Sequence, residues 1–233
     1  MVGIIVQLLL SWALVWLVER KNLSVLGLMP TVQRLKDFLF FFLLASGCCF
    51  SGFALRMYLA GQAWKLNPDL SFSLVLEGFW WNLKSVIFEE LIFRGVLLYL
   101  IIRRWGPVAG ITLSAIGFGI YHWFSFEVIG NIPQMIIIFL VTGAMGLVYA
   151  YGYAKTWSLY IPAAIHLGWN LTTSVVFSET SIGNQLLVRI KPDPVVTLSY
   201  FSYYFMTFFA LVTVIGLNFW ILKRRKQVEL EGQ

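Results

Sequence analysis

Charged side chains are scarce in this sequence. Asp, Glu, Lys and Arg make up 12% of the 233 residues, about half the share of a typical soluble domain. Hydrophobic residues make up 59%, and the sequence shows no low-complexity tract, long repeat or domain linker. The composition excludes an ordinary soluble domain and predicts one integral membrane domain over residues 1–233.

Cysteine is scarce as well. The two cysteines, Cys48 and Cys49, are neighbours inside one apolar stretch. Adjacent cysteines rarely bridge each other, because disulfide geometry needs a suitable separation. We expect both to pack as small apolar side chains, so they carry no information about the redox compartment.

Long apolar stretches fill most of the chain. A helix that crosses a bilayer needs roughly 20 mostly apolar residues, and backbone groups cannot remain unpaired in lipid. We therefore predict an all-α polytopic membrane bundle with about seven transmembrane helices. The predicted spans are residues 3–18, 38–60, 83–102, 107–126, 130–153, 157–178 and 198–222.

The net charge of +6 does not indicate a nucleic-acid partner, because the basic residues mark the topology of the spans. Basic loops remain in the cytoplasm, so we predict a cytoplasmic C-terminus and an outside N-terminus, in a cell or ER-type membrane. The residues on the predicted cytoplasmic side are Arg20, Lys21, Arg34, Lys36, Arg103, Arg104, Lys155, Lys223, Arg224, Arg225 and Lys226. Those on the other side are Lys65, Arg189 and Lys191, and those within spans are Arg56, Lys84 and Arg94.

Ionisable residues interrupt the third predicted span in the run Phe-Glu-Glu-Leu-Ile-Phe-Arg. Each such group costs about 2.5–3.5 kcal/mol on insertion scales, so it is a candidate functional residue. Glu90 and Arg94 are four residues apart and share a helix face, where they can neutralise each other. Glu89 is rotated by about 100° from Glu90 and lacks this partner. The alternative is a purely structural ion pair beside one protonated carboxyl.

Both histidines of the chain also lie within predicted spans. His122 is in the fourth span, and His166 is in the sixth, one turn before Asn170. A rise of 1.5 Å per residue puts Glu89, His122 and His166 about 20, 22 and 14 Å from the inner ends of their spans. The three could thus meet at similar depth. A carboxylate, two imidazoles and an amide in a low-dielectric cavity suit hydrolysis, because one group takes a proton from water while the others carry or stabilise charge.

These three blocks resemble the motifs of the CPBP family of intramembrane proteases. That family includes the Rce-type CAAX prenyl endopeptidases and the bacterial Abi proteins linked to bacteriocin immunity. Its pattern is Glu-Glu-x-x-x-Arg, Phe-x-x-x-His and His-x-x-x-Asn or Asp, each on a separate membrane helix. All three blocks occur in order within about residues 85–172, as Glu89-Glu90-x-x-x-Arg94, Phe118-x-x-x-His122 and His166-x-x-x-Asn170.

The resemblance implies a membrane endopeptidase that acts on membrane-associated or prenylated CAAX-type proteins or peptides. Glu89 and His122 would activate a water molecule. His166 and Asn170 would stabilise the oxyanion of the reacting carbonyl group.

The resemblance also implies supporting residues and leaves the use of a metal open. Glu90 and Arg94 would hold the carboxylate helix in register, and Phe118 would pack one turn before His122. The family is often called metalloprotease, and two histidines with one glutamate suit zinc. A zinc ion, if used, would be held by Glu90, His122 and His166. A carboxylate, a histidine and a buried water can also hydrolyse an amide without metal, and we favour no cofactor.

Two other classes of function are compatible with the same residues. A non-proteolytic membrane partner, such as a bacteriocin immunity protein, could retain the fold and the motifs. A proton-coupled transporter could use buried Glu and His as a proton relay. Transporters often contain internal repeats, and none is visible in this sequence.

Overall fold

The computed structural model describes residues 2–179, 182 and 185–228 of the chain. This part is mostly helical, which confirms the prediction of an all-helical bundle. The α-helices are α1 (Val2–Glu19), α2 (Val32–Ala60), α3 (Phe72–Phe93), α4 (Val96–Ser125), α5 (Ile132–Thr156), α6 (Tyr160–Leu171) and α7 (Tyr200–Arg224). A 3₁₀ turn (Leu23–Leu26) follows α1, and a π-helical turn (Thr172–Val176) extends α6.

A short antiparallel ribbon joins two loops at one end of the bundle. Strand β1 (Trp64–Leu66) pairs with strand β2 (Leu187–Arg189), with Lys65 opposite Val188. The sequence does not predict this ribbon, because three residues are too few for an alternating pattern to be visible. Part of the loop that contains β2 lies outside the described residues.

Side-chain caps set the first turn of four helices. A Ser, Thr or Asn directly before each helix accepts a hydrogen bond from a backbone N–H three residues later. This satisfies a donor that the helix itself leaves unpaired. The capping pairs are Thr31 with Arg34, Ser71 with Leu74, Asn131 with Gln134 and Ser199 with Ser202.

Four helices, α1, α2, α5 and α7, are long and apolar enough to cross a membrane by length and composition. Many of their large apolar side chains are exposed on the surface of the protein. Both properties support an integral membrane protein, since lipid can cover such a surface. The predicted number of seven spans is not confirmed.

The third predicted span, 83–102, is not one continuous helix. α3 begins upstream of it and ends at Phe93, with Arg94 as the C-cap. Gly95 then separates α3 from α4, and a Cβ atom there would lie 2.0 Å from the carbonyl oxygen of Leu91. Only glycine allows this close approach, so the prediction of an uninterrupted helix is wrong.

The helical stretch α4 reverses direction at Gly106, where the backbone is not helical (φ 84°, ψ 167°). A Cβ on Gly110 would lie 2.5 Å from the Ile102 side chain and 3.1 Å from that of Leu98. In a straight helix these residues would be about 12 and 18 Å from Gly110 along the axis. The segments before and after Gly106 and Pro107 are therefore antiparallel, as the boundary between the third and fourth predicted spans requires.

The sixth predicted span, 157–178, begins too early. α5 continues to Thr156, Trp157 caps it in the left-handed region (φ 47°), and α6 begins only at Tyr160.

Cys48 and Cys49 are free and buried, in agreement with the expected apolar packing.

Candidate active site

Three helices bring the predicted ionisable residues together. Glu89 lies in the last turns of α3, His122 in the second segment of α4 and His166 in α6. Glu89 Oε2 is 4.0 Å from His122 Nε2 and 3.8 Å from His166 Nε2. The convergence expected from the sequence is therefore present.

Both imidazole rings are oriented through Nδ1. His122 Nδ1 is 2.8 Å from the carbonyl oxygen of Phe118, and this oxygen can only accept, so Nδ1 carries a proton. His166 Nδ1 is 2.8 Å from Glu90 Oε1. Each ring thus keeps Nε2 directed towards the Glu89 carboxylate.

The two oxygens of Glu89 have different surroundings. Oε1 accepts a hydrogen bond of 3.2 Å from Ser85 Oγ. Oε2 is buried and makes no hydrogen bond to any described residue. A buried polar atom without a partner is uncommon in proteins, and Glu90 Oε2 and Arg94 Nε share this property. Glu89 Oε2 differs from them because it faces the Nε2 atoms of both histidines.

Glu90 holds two groups through one oxygen. Glu90 Oε1 is 2.8 Å from His166 Nδ1 and 3.3 Å from Arg94 Nη1. The Arg94 side chain is 0% exposed and that of Glu90 is 1% exposed, and Arg94 Nη2 donates to the carbonyl oxygen of Gly146 at 3.3 Å. The ion pair between Glu90 and Arg94 was expected, whereas the contact with His166 was not.

Aromatic rings enclose the charged groups. The Arg94 guanidinium carbon lies 4.2 Å from the centre of the Phe118 ring and 5.0 Å from that of Tyr149. The Phe118 ring is also 4.4 Å from the His122 ring, in an edge arrangement. The Tyr149 ring stacks on His166 at 5.1 Å between ring centres. The Arg94 guanidinium and the His166 ring are thereby almost fully buried, whereas the His122 side chain stays 12% exposed.

Asn170 lies one turn after His166 on α6 and is partly buried. Its backbone carbonyl accepts hydrogen bonds from the hydroxyl groups of Thr173 and Ser174. Its side-chain amide makes no hydrogen bond within the described part of the chain. The amide is therefore free to donate to another molecule.

Sequence reasoning missed Ser85 and Tyr149. Ser85 is four residues before Glu89 and on the same helix face, so its spacing could have revealed it. Tyr149 is on α5, and nothing in the spacing of the motifs relates it to His166.

Glu90, His122 and His166, the residues expected to hold a zinc ion, do not fit one. Glu90 Oε1 is already shared between His166 Nδ1 and the Arg94 guanidinium, and a fixed cation at this distance opposes a second one. His122 Nε2 instead faces Glu89. No group of three or more His, Cys, Asp or Glu side chains that could hold a metal occurs in the described ranges.

The described structure is a helical bundle with a Glu-His-His cluster, and Asn170 lies one turn after His166 on α6. Residues 71–172 match the family model Rce1-like, described as type II CAAX prenyl endopeptidase. The matched segment begins at the N-cap of α3 and ends just after α6, so it contains the whole site. The match over this segment confirms the resemblance to the CPBP and CAAX protease family, and the exposed apolar helices support an integral membrane protein. No curated protein and no solved structure matches the chain.

Proposed function

We propose that this protein is an intramembrane endopeptidase that hydrolyses peptide bonds of membrane-associated or prenylated CAAX-type substrates. The observation that carries the proposal is the position of Glu89 Oε2. This oxygen is buried without a hydrogen-bond partner in the described residues, and it faces the Nε2 atoms of His122 and His166 at 4.0 and 3.8 Å. A carboxylate in this position can take a proton from water beside a scissile carbonyl group.

The chemistry follows from the positions of these groups. Glu89, assisted by His122, takes a proton from a water molecule whose oxygen attacks the carbonyl carbon. The carbonyl oxygen becomes negative and accepts hydrogen bonds from His166 and the Asn170 amide. The carbon–nitrogen bond then breaks, and Glu89 returns the proton to the leaving nitrogen. The products are a carboxylic acid and an amine.

The role of His166 requires a particular protonation state. If Nδ1 donates to Glu90, then Nε2 can donate to the oxyanion only when the ring carries both protons. The Glu90 carboxylate oxygen lies 2.8 Å from Nδ1, so it can accept this hydrogen bond. Arg94 would then fix Glu90 so that the carboxylate cannot turn away from the ring.

The decisive experiment compares the protein with Glu89→Gln and with Glu77→Gln, an exposed acid on the same helix. Gln keeps the shape of the side chain but cannot accept the proton, so cleavage by Glu89→Gln should fall by about 10²–10⁴. Glu77→Gln should behave as wild type. Proteomics identifies the cleavage products in the membrane, and a peptide assay measures the cleavage rate of each variant.

The results also separate this proposal from non-enzymatic roles. Equal cleavage by Glu89→Gln and wild type, with insertion confirmed, would end the proposal for this residue. An immunity protein or a transporter would yield no cleavage products even with the unmodified chain.

We propose that the reaction needs no metal. Glu89 and His122 can together activate water, and the set Glu90, His122 and His166 does not fit zinc. Protein stripped by a chelator and shown to be metal-free should retain its cleavage rate. Loss of activity that is restored by zinc would contradict this proposal.

A further inference from the structure

Besides the Glu-His-His cluster, α3 makes a second polar contact with the chain that follows α6. Ser174 Oγ, in the π-helical turn, donates to Asn82 Oδ1 at 3.0 Å. Both residues are buried, with 1% of Asn82 and 2% of Ser174 exposed. Asn82 Nδ2 donates in turn to the carbonyl oxygen of Gly78 at 2.7 Å. The contact is specific, because a buried polar group that loses its partner is costly.

The Ser174 hydroxyl also reaches the residue that carries the candidate oxyanion amide. Ser174 Oγ lies within hydrogen-bond distance of the backbone carbonyl oxygen of Asn170, so its one hydrogen is shared between this oxygen and Asn82 Oδ1. The contact lies where α6 passes into the π-helical turn (Thr172–Val176), and π-helical bulges are frequent at functional sites. Asn82, Ser174 and Asn170 thus form one chain of hydrogen bonds that joins two helices.

Asn82 lies on the same face of α3 as Glu89. The two are seven residues apart, which at 100° per residue leaves a rotation of only about 20° between them. Ser85, between them, donates to Glu89 Oε1 at 3.2 Å. A Cβ on Gly78 would lie 3.3 Å from Val175 Cγ2, so α3 closely approaches the π-helical turn. The face that carries the candidate base therefore also carries the contact with this turn.

Two contacts between α3 and the α6 segment enclose Asn170. Glu89 Oε2 lies 3.8 Å from His166 Nε2, and Asn82 Oδ1 lies 3.0 Å from Ser174 Oγ. The contacts are about 10.5 Å apart along α3, and Asn170 is midway between His166 and Ser174 in the sequence. The order of the contacts makes the two helices antiparallel. The separation of the helices at Asn170 is consequently set by one contact on either side of it.

We propose that Asn82 and Ser174 are positioning residues, which hold the Asn170 amide at the distance from Glu89 that the reaction requires. The proposal rests on the peptidase function. In this role neither side chain touches the reacting atoms, and each acts through Asn170. Without the contact the end of α6 turns or moves away from α3, and a misplacement of about 1 Å costs on the order of 100-fold in rate. The effect falls on the transition state, in which the oxyanion accepts the hydrogen bond.

The test is a double-mutant cycle between Ser174 and Asn170, measured with one peptide that the wild type cleaves. Ser174→Ala should lower kcat about tenfold and leave KM within about twofold. Asn170→Ala removes the amide itself and should lower kcat by about 10²–10³. If Ser174 acts through this amide, adding Ser174→Ala to Asn170→Ala should change kcat by less than about twofold. Ser174→Thr keeps the hydroxyl and should stay within about threefold of wild type.

A purely structural role gives a different pattern. Equal losses from Ser174→Ala in both backgrounds would overturn the proposal, because a general defect adds to the loss of the amide. No loss, or a higher KM with unchanged kcat, would overturn it as well. The matched control is Thr142→Val, which removes a hydroxyl that donates to the carbonyl oxygen of Ile138 within α5 at 2.7 Å. It should behave as wild type.

A second variant is used if the unpaired Asn82 oxygen prevents Ser174→Ala from folding. Asn82→Leu combined with Ser174→Ala makes both partners apolar, so no buried group is left unsatisfied. Its loss of kcat should again disappear in the Asn170→Ala background, and equal losses in both backgrounds would contradict the proposal.

Crystal structures of wild type, Ser174→Ala and Thr142→Val separate this proposal from the peptidase function. The distance between the Asn170 amide nitrogen and the Glu89 carboxylate should change by about 1 Å or more in Ser174→Ala alone. Such a change in a protein that cleaves no peptide would refute the peptidase and support the positioning of the amide. An unchanged distance would overturn the positioning, whether or not the protein cleaves.

Discussion

At the scale of single residues, Glu90 does more than neutralise its neighbour. The same carboxylate oxygen contacts Arg94 Nη1 at 3.3 Å and His166 Nδ1 at 2.8 Å. The ion pair within one helix end is thereby connected to the orientation of a ring on another helix. Loss of Glu90 or of Arg94 would therefore change the position of the His166 ring as well as the local charge.

The first prediction concerns Arg94→Leu. This change leaves the Glu90 carboxylate buried without its cation, which should destabilise the protein by about 3–5 kcal/mol. The free energy of unfolding in mixed detergent micelles and the yield of folded protein should both fall, together with activity. The matched control is Arg104→Leu, because Arg104 is exposed and makes no ion pair within the described chain. Its effect should remain within about 0.5 kcal/mol.

One result would reverse this interpretation. If Arg94→Leu protein is obtained in full yield and with unchanged stability but is inactive, Arg94 acts directly on the substrate.

At the scale of helices, Gly168 sets how closely α6 approaches α2. A Cβ at this position would lie 2.6 Å from the carbonyl oxygen of Phe42 and 3.0 Å from Ser46 Oγ. Ser46 Oγ also donates to the carbonyl oxygen of Gly168 at 3.3 Å. Since Gly168 lies midway between His166 and Asn170, this contact determines how α6 presents both side chains.

We expect opposite effects from two Gly→Ala changes in helices. Gly168→Ala forces a Cβ against the α2 backbone and should destabilise by about 1–3 kcal/mol, with a parallel loss of activity. Gly47→Ala, on α2, meets no atom within 4 Å, and should stabilise by up to about 1 kcal/mol through helix propensity. Unfolding in mixed micelles measures both. A neutral or stabilising Gly168→Ala would show that α2 and α6 can separate without loss.

At the scale of the whole molecule, contacts bring the basic segments to one end of the bundle. Arg225, after α7, binds both oxygens of Asp37 in α2 at 2.8 and 2.6 Å. Lys155 Nζ, near the end of α5, donates to the carbonyl oxygen of Arg225 at 3.0 Å. Arg103 lies 3.5 Å from Glu19, at the end of α1. Arg103, Lys155 and Arg225, which come from separate basic segments of the sequence, thus lie at the same end of the bundle.

The orientation of this end is a prediction that reporter fusions can test. If the positive-inside rule holds, a reporter after Lys226 gives a cytoplasmic signal. A reporter inserted at Gly61, after α2, should give the opposite signal. A C-terminal reporter on the outside would reverse the orientation and all the loop assignments that depend on it.

Much of the candidate site was predictable because ionisable residues are costly inside apolar spans. That cost singled out Glu89, His122 and His166, which do lie together. Helical spacing was also sufficient to predict the ion pair of Glu90 and Arg94, because residues four apart at the end of α3 lie within contact distance of each other. Their catalytic roles stay predictions.

The sequence by itself determined the apolar helices, the segregation of basic loops and the residues of the motifs, because each depends on composition or on spacing within one element. Only the tertiary structure decided that Glu90 holds His166, that Tyr149 stacks on this ring and that Ser174 after α6 bonds Asn82 of α3. Those contacts depend on how each helix is rotated and how closely it packs. The rotation and the spacing of the helices are set by packing between distant segments, such as Gly168 against α2. No local sequence pattern encodes this packing.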